Sequence, residues 1–144
     1  MKTSPNLIEK AFLLKKTSLF EEINLDDLLA IAEKLDTIEM QTNVTLFKEG
    51  QSAQHMYIIT DGSVELLDSS MNPFQELHTG SFFGYEALFR DGKHCYHARA
   101  KTHGHLLAVT KKQLTVIIGE CPSVAIRLLE AFSKHPEHKP LFTD

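Results

Sequence analysis

The two ends of this chain repeat their apolar residues at helical spacing, whereas the long middle breaks into short runs. In LIEKAFLLKK, residues 7 to 16, Leu7, Ile8, Ala11, Phe12 and Leu14 fall on one side of a helix with the charges opposite, which predicts an amphipathic opening helix. Leu19-Phe20 leads into a second helix. There Asn24 has the short polar side chain of an N-cap, Asp26 and Asp27 suit the positive first turn, and Leu25, Leu28, Leu29, Ile31, Ala32 and Leu35 make the apolar face. From Thr37 the pattern turns to β-branched and aromatic runs separated by Gly, Asp, Asn and Ser, at residues 37–40, 44–48, 56–60, 63–67, 74–78, 96–101 and 105–109. Short strands at such close spacing argue for a sandwich or barrel. Helical spacing returns from Lys111 to Ile118. After Pro122, placed at the first helical position, it continues from Val124 to Ser133 with Val124, Ala125, Leu128, Leu129 and Phe132 as the stripe. The expected fold class is mainly β with flanking helices.

Composition narrows what such a fold does. With 144 residues, 42% hydrophobic and 24% charged, the chain suits one globular domain over residues 1–144. A formal charge of −4, from 19 acidic against 15 basic residues, gives no electrostatic footprint for nucleic acid. Apolar runs fall far short of the ~20 residues that span a bilayer, so no membrane contact is expected. Glu9 and Lys10 interrupt what would be the apolar core of a secretory signal. Two cysteines, Cys95 and Cys121, are too few for a disulfide scaffold and suit a reducing compartment. The expected location is cytoplasmic.

Candidate chemistry concentrates in Gly80 to Ala100, GSFFGYEALFRDGKHCYHARA. A glycine turn leads into a short helix-compatible segment, Tyr85 to Phe89, which breaks at Asp91-Gly92 before strand-like sequence resumes at Tyr96. Backbone N–H groups at the start of a helical turn lack internal partners and make a ready anion site. This stretch resembles the phosphate-binding cassette of the cyclic-nucleotide-binding domain family, which includes catabolite activator proteins and regulatory subunits of cyclic-AMP-dependent kinase. Two further turns strengthen the resemblance: Lys48-Glu49-Gly50-Gln51 is similar to the family's Glu-Gly-Asp turn, and Tyr57 to Val64 is similar to its Tyr-x-Ile-x-x-Gly-x-Val hairpin. The resemblance covers about residues 12–133 and implies an eight-stranded antiparallel β-roll, jelly-roll-like, without catalytic activity.

By the same resemblance the ligand site comprises Gly84, Tyr85, Glu86, Ala87, His94 and Cys95. Gly84, Ala87 and Leu88 match the family's frame, but Tyr85 stands where the family has the Glu that accepts from ribose. Glu86 comes one residue late. His94 stands at the position of the Arg that clamps the cyclic phosphate, with Cys95 after it. A histidine supplies at most one charge-assisted bond, and only when protonated. With an ordinary pKa near 6.5, His94 is expected to strengthen anion affinity as pH falls from about 7.5 to 6. Tyr85→Glu with His94→Arg is the pair of changes expected to restore the family's contacts.

Two functions compete. A ligand-sensing module, for cyclic nucleotide or another small anionic ligand, needs an open pocket at these six residues. A protein-interaction module needs the pocket filled by Tyr85 and its neighbours and an apolar patch elsewhere, with the terminal helices as the expected place. No cofactor is required by either. Pro136 and Pro140 limit any helix after Ser133, so the family's closing helix and its output domain are expected to be absent. The histidines 94, 97, 103 and 105 with Cys95 raise the question of a metal, but alternation along a strand does not gather them on one face, and they are expected to be exposed strand residues. Cys95 as a nucleophile fails on the same ground, because the adjacent His94 points away from it in extended chain.

Overall fold

The computed structural model describes residues 5–90 and 92–134. Two helices open it. α1, Leu7–Lys15, starts at a capping box in which Asn6 Oδ1 accepts from the Glu9 N–H at 2.9 Å and Glu9 Oε1 accepts from the Asn6 N–H at 2.9 Å. α2, Leu25–Lys34, is capped by Asn24, whose Oδ1 accepts from the Asp27 N–H at 2.9 Å. Between them, Ser18–Phe20 form a 3₁₀ turn that buries Leu19 and Phe20. The face expected of α1 is only partly the buried one: Ala11 and Leu14 are buried while Leu7, Ile8 and Phe12 are exposed. Six of its nine residues are apolar, so nearly every direction around the axis looks hydrophobic and packing decides which is used.

Eight antiparallel strands follow: β1 Asp36–Met40, β2 Thr45–Phe47, β3 His55–Asp61, β4 Val64–Leu67, β5 Pro73–Leu77, β6 Phe82–Phe83, β7 His97–Ala100 and β8 Gly104–Thr110. They form two four-stranded sheets, ordered β1-β8-β3-β6 and β2-β7-β4-β5. β6 is the strand that the hydrophobic pattern does not announce. Two residues long, it gains its place by pairing Phe82 with Ile58 and Phe83 with Tyr57.

The central strands of the first sheet, β3 and β8, are buried on both faces. Met56 and Ile58 of β3, with Leu107 and Val109 of β8, pack toward the helices; Ile59 and Leu106 pack toward the second sheet. A strand buried on both faces loses polar alternation, which is why β8 reads as a continuous apolar run. Two cores result, one between the helices and the first sheet and one between the sheets.

α3, Lys111–Glu120, begins at a second capping box, Thr110 with Gln113. α4, Ser123–Ser133, follows Pro122, which stands at the cap position just before the helix rather than inside its first turn. Arg127 of α4 binds Glu22 at 2.8 Å and Glu21 at 2.8 Å, tying the last helix to the turn that precedes α2. Among the described residues no helix is long and apolar enough to cross a membrane. Asp91, Pro136 and Pro140 lie outside the described residues.

Candidate functional site

The connection from β6 to β7 carries the candidate residues. Pairing of β6 with β3 fixes Phe83, Gly84 follows it, and a 3₁₀ turn over Glu86–Phe89 sends the chain outward. The return limb is held by the loop after β2: the Gly50 N–H donates to the His94 carbonyl at 2.8 Å, and the His94 N–H donates to the Gln51 carbonyl at 3.0 Å. The Ala53 N–H donates to the Gly92 carbonyl at 2.6 Å. These backbone bonds place His94 beside the glycine turn although ten residues separate the two.

Inside this loop the side chains form a closed arrangement. The His94 ring lies on Phe47 with centroids 3.5 Å apart and an interplanar angle of 6°. Phe47 also meets Phe83 at 5.9 Å and Tyr96 at 5.6 Å. The Gly84 N–H, expected to be open to an anion, donates to the Tyr96 hydroxyl at 2.8 Å. That hydroxyl donates in turn to Glu86 Oε1 at 2.9 Å. Glu86 is only 2% exposed, so the carboxylate that arrives one residue late is turned into the protein.

Burial sets the titration of these groups. It pushes His94 down to about 4, with the Glu86 carboxylate opposing the shift. The expectation that His94 charges between pH 7.5 and 6 is thereby overturned: a ring sandwiched against Phe47 has lost the water that stabilises imidazolium. Burial also raises the Tyr96 hydroxyl well above its ordinary value, with Glu86 adding to the shift.

Tyr85 takes a different direction. It is 1% exposed and belongs to the helix-side core, 5.2 Å from Phe82 and 5.6 Å edge-on to Phe132 of α4. Burial, and after it the Glu86 charge, raises its hydroxyl pKa. Ala87 is buried, and Cys95 is half-buried at the edge of the inter-sheet core. The structure thus gathers Gly84, Glu86 and His94 around Tyr96 and Phe47, and sends Tyr85 to the other core. Sequence reading passed over Phe47 and Tyr96. Tyr96 carried a signal, since it lies two residues after His94 and alternation puts both on one face.

His97, His103, His105 and Arg99 have partners. His97 Nδ1 accepts from the Glu49 N–H at 3.2 Å, His103 Nε2 lies 2.8 Å from Glu39 Oε2, and His105 Nδ1 lies 3.6 Å from Asp61 Oδ2. His94 and His105 are buried, not exposed as expected of strand histidines. Among the described residues no group of three or more His, Cys, Asp or Glu side chains is placed to hold a metal ion. The Arg99 guanidinium, on the strand after the cassette, is taken by Glu65 at 2.9 and 2.5 Å.

Comparison with known proteins agrees with this architecture. A family model described as the cyclic nucleotide-binding domain matches residues 37–120. A cAMP-dependent protein kinase regulatory subunit from Blastocladiella emersonii is 27% identical over 113 residues, covering 75% of this chain and 28% of the relative. Among solved structures, the regulatory domain of Toxoplasma gondii PKA with cAMP superposes with a TM-score of 0.76 at 18% identity, over 87% of this chain and 49% of that one. The Thermus thermophilus catabolite activator protein gives 0.75 at 21% identity, over 81% and 57%. The chain therefore spans about a quarter to a little over half of these relatives.

Proposed function

The chain belongs to the cyclic nucleotide-binding domain family, and we propose that it acts there as a non-catalytic regulatory module whose nucleotide site is filled by its own side chains and whose output is a contact with another protein. One observation carries this reading: the hydrogen-bond chain from the Gly84 N–H through the Tyr96 hydroxyl to the Glu86 carboxylate. An incoming phosphate has to displace Tyr96 from the Gly84 amide, and the displaced groups lie in a core where unmade hydrogen bonds cost about 1–3 kcal/mol each. It also has to approach a buried carboxylate. Two like charges about 5 Å apart repel by about 3 kcal/mol at an effective dielectric near 20. The position that resembles the family's clamping Arg holds His94, neutral at pH 7 and stacked on Phe47.

The net charge of −4 favours protein over nucleic acid as the partner. The reading requires no cofactor. A ligand-sensing function draws on the likeness to a domain solved with cAMP, and one experiment separates the two. Calorimetric titration of the chain with cyclic AMP, cyclic GMP and cyclic dinucleotides is expected to show no binding up to about 1 mM. A dissociation constant tighter than about 10 μM for any of them overturns the filled-site reading.

A further inference from the structure

Along one stripe of α4, Arg127, Glu130, Ala131 and the C-cap Lys134 recur at i, i+3, i+4 and i+7. This stripe meets β5, β6 and Ser18 of the first 3₁₀ turn around a pocket of about 300 Å³. Leu77, Phe82 and Ala131 supply apolar lining, and Gln75, Ser18 and Ser81 add polar groups. Apolar walls with a few placed polar groups are the usual build of a small-molecule site. Phe82 separates this pocket from the cassette, its other neighbour being the Tyr85 ring at 5.2 Å.

The charges on this stripe are unevenly matched. Arg127 is shared among three carboxylates, Glu21 and Glu22 at 2.8 Å each and Glu130 at 3.5 Å. One guanidinium does not neutralise three carboxylates, and Glu130, the most distant, stays 51% exposed. Lys134 stands one helical turn beyond it, also exposed, and the ion pair of Glu130 is with Arg127 rather than with this lysine. The pocket therefore carries a carboxylate and an ammonium group whose Cβ atoms are set roughly 5–6 Å apart by the helix. Its wall also holds an acceptor without a hydrogen-bond partner, the buried Gln75 Oε1, and an N–H donor is the complement it lacks.

We propose that the pocket between α4, β5, β6 and Ser18 is a ligand site for a free α-amino acid with an apolar side chain, of leucine to phenylalanine size. Glu130 receives the α-ammonium group, Lys134 the carboxylate, and Leu77, Phe82 and Ala131 the side chain. A simple anion meets Glu130 and the two glutamates already held at Arg127, whereas a simple amine leaves Lys134 unmatched; a zwitterion answers both charges at once. Because the ligand touches α4 on one side and β5 and β6 on the other, its binding braces the last helix against the barrel. In that respect the inference extends the regulatory reading, while the site itself does not depend on whether the cassette takes a nucleotide.

The test is calorimetric titration of the full chain at pH 7 with L-leucine and L-phenylalanine. Beside them run glycine, the N-acetyl forms, which lack the ammonium charge, and the amides, which lack the carboxylate. A dissociation constant tighter than about 1 mM is expected for leucine or phenylalanine, with glycine and both blocked forms at least about tenfold weaker. Glu130→Gln and Lys134→Gln, at exposed positions that leave the fold intact by circular dichroism, are each expected to weaken binding about tenfold or more. Glu120→Gln, in the separate cleft between α2 and α3, is expected to change nothing.

Absence of binding up to about 10 mM, equal binding of free and blocked amino acids, or undiminished binding by Glu130→Gln or Lys134→Gln overturns the proposal. Binding of the N-acetyl forms alone makes the pocket an anion site and overturns it too. So does amino-acid binding that cyclic AMP displaces, which assigns the ligand to the cassette. Cyclic AMP binding that leaves the amino-acid titration unchanged overturns the filled cassette and supports the separate pocket.

Discussion

At the scale of single residues, His94 shows how position changes chemistry. Its backbone is pinned on both sides by the Gly50 turn, and its ring lies flat on Phe47. Burial brings its pKa from 6.5 in the unfolded chain down to about 4. Between those values the unfolded chain binds a proton that the folded one refuses, so stability is full above pH 6.5, falls as pH drops through the window, and levels off near pH 4. The contribution is about 1–3 kcal/mol. Urea midpoints of the native chain and of His94→Phe, which keeps the stack but cannot titrate, are therefore expected to diverge between pH 7.5 and 5, with the native chain losing more. The His94 imidazole resonances are expected to stay constant from pH 7.5 to 6. A midpoint near 6.5 in that titration would place the ring in water and remove the basis of the argument.

At the scale of elements, the helices were legible because their signals are local: the Asn24 cap with Asp26 and Asp27 lies within one turn of the apolar face it starts. β6 was not, because Phe82-Phe83 become a strand only through Tyr57 and Ile58, some 25 residues upstream. The glycine turns were legible for a mechanical reason, and the structure ranks them. Gly50 and Gly62 have φ of +88° and +92°, a region where side chains are strained. A Cβ at Gly50 meets nothing within 4 Å, whereas one at Gly62 would lie 2.7 Å from the His103 carbonyl oxygen and 2.8 Å from Thr102 Oγ1. Gly50→Ala is thus expected to cost about 1 kcal/mol, from the backbone alone. Gly62→Ala adds the overlap, and it also pushes on the loop whose Thr102 hydroxyl accepts from the Ser63 N–H. Its cost is expected to be about 2–4 kcal/mol. Denaturant midpoints of the two variants check the order, and equal losses would mean that the β3–β4 hairpin relaxes away from the His103 carbonyl.

At the scale of the whole molecule, the cassette is the seam between two cores, and this governs what restoring the family's residues does. The frame of Gly84, Ala87 and Leu88 was readable as turn chemistry, and Tyr85 was already a candidate to fill the emptied site. That Tyr85 and Glu86 part into different cores was not readable, because it depends on α4 bringing Phe132 against the turn from some 45 residues downstream. Tyr85→Glu places a carboxylate between Phe82 and Phe132 instead of in a ligand pocket. An unpaired buried charge of this kind costs several kcal/mol. His94→Arg sets a guanidinium on the Phe47 ring close to Glu86, whose charge already acts on His94, so the new cation finds an internal carboxylate before it finds a phosphate. The double variant is therefore expected to lose at least about 3 kcal/mol of stability and to gain no cyclic AMP affinity tighter than about 100 μM. His94→Arg alone is expected to fold. Calorimetry with cyclic AMP on both variants, alongside urea denaturation, measures each part. Micromolar binding by the double variant would mean that Tyr96 yields the Gly84 amide readily, and that the two missing side chains were the whole of the difference between this chain and a nucleotide sensor.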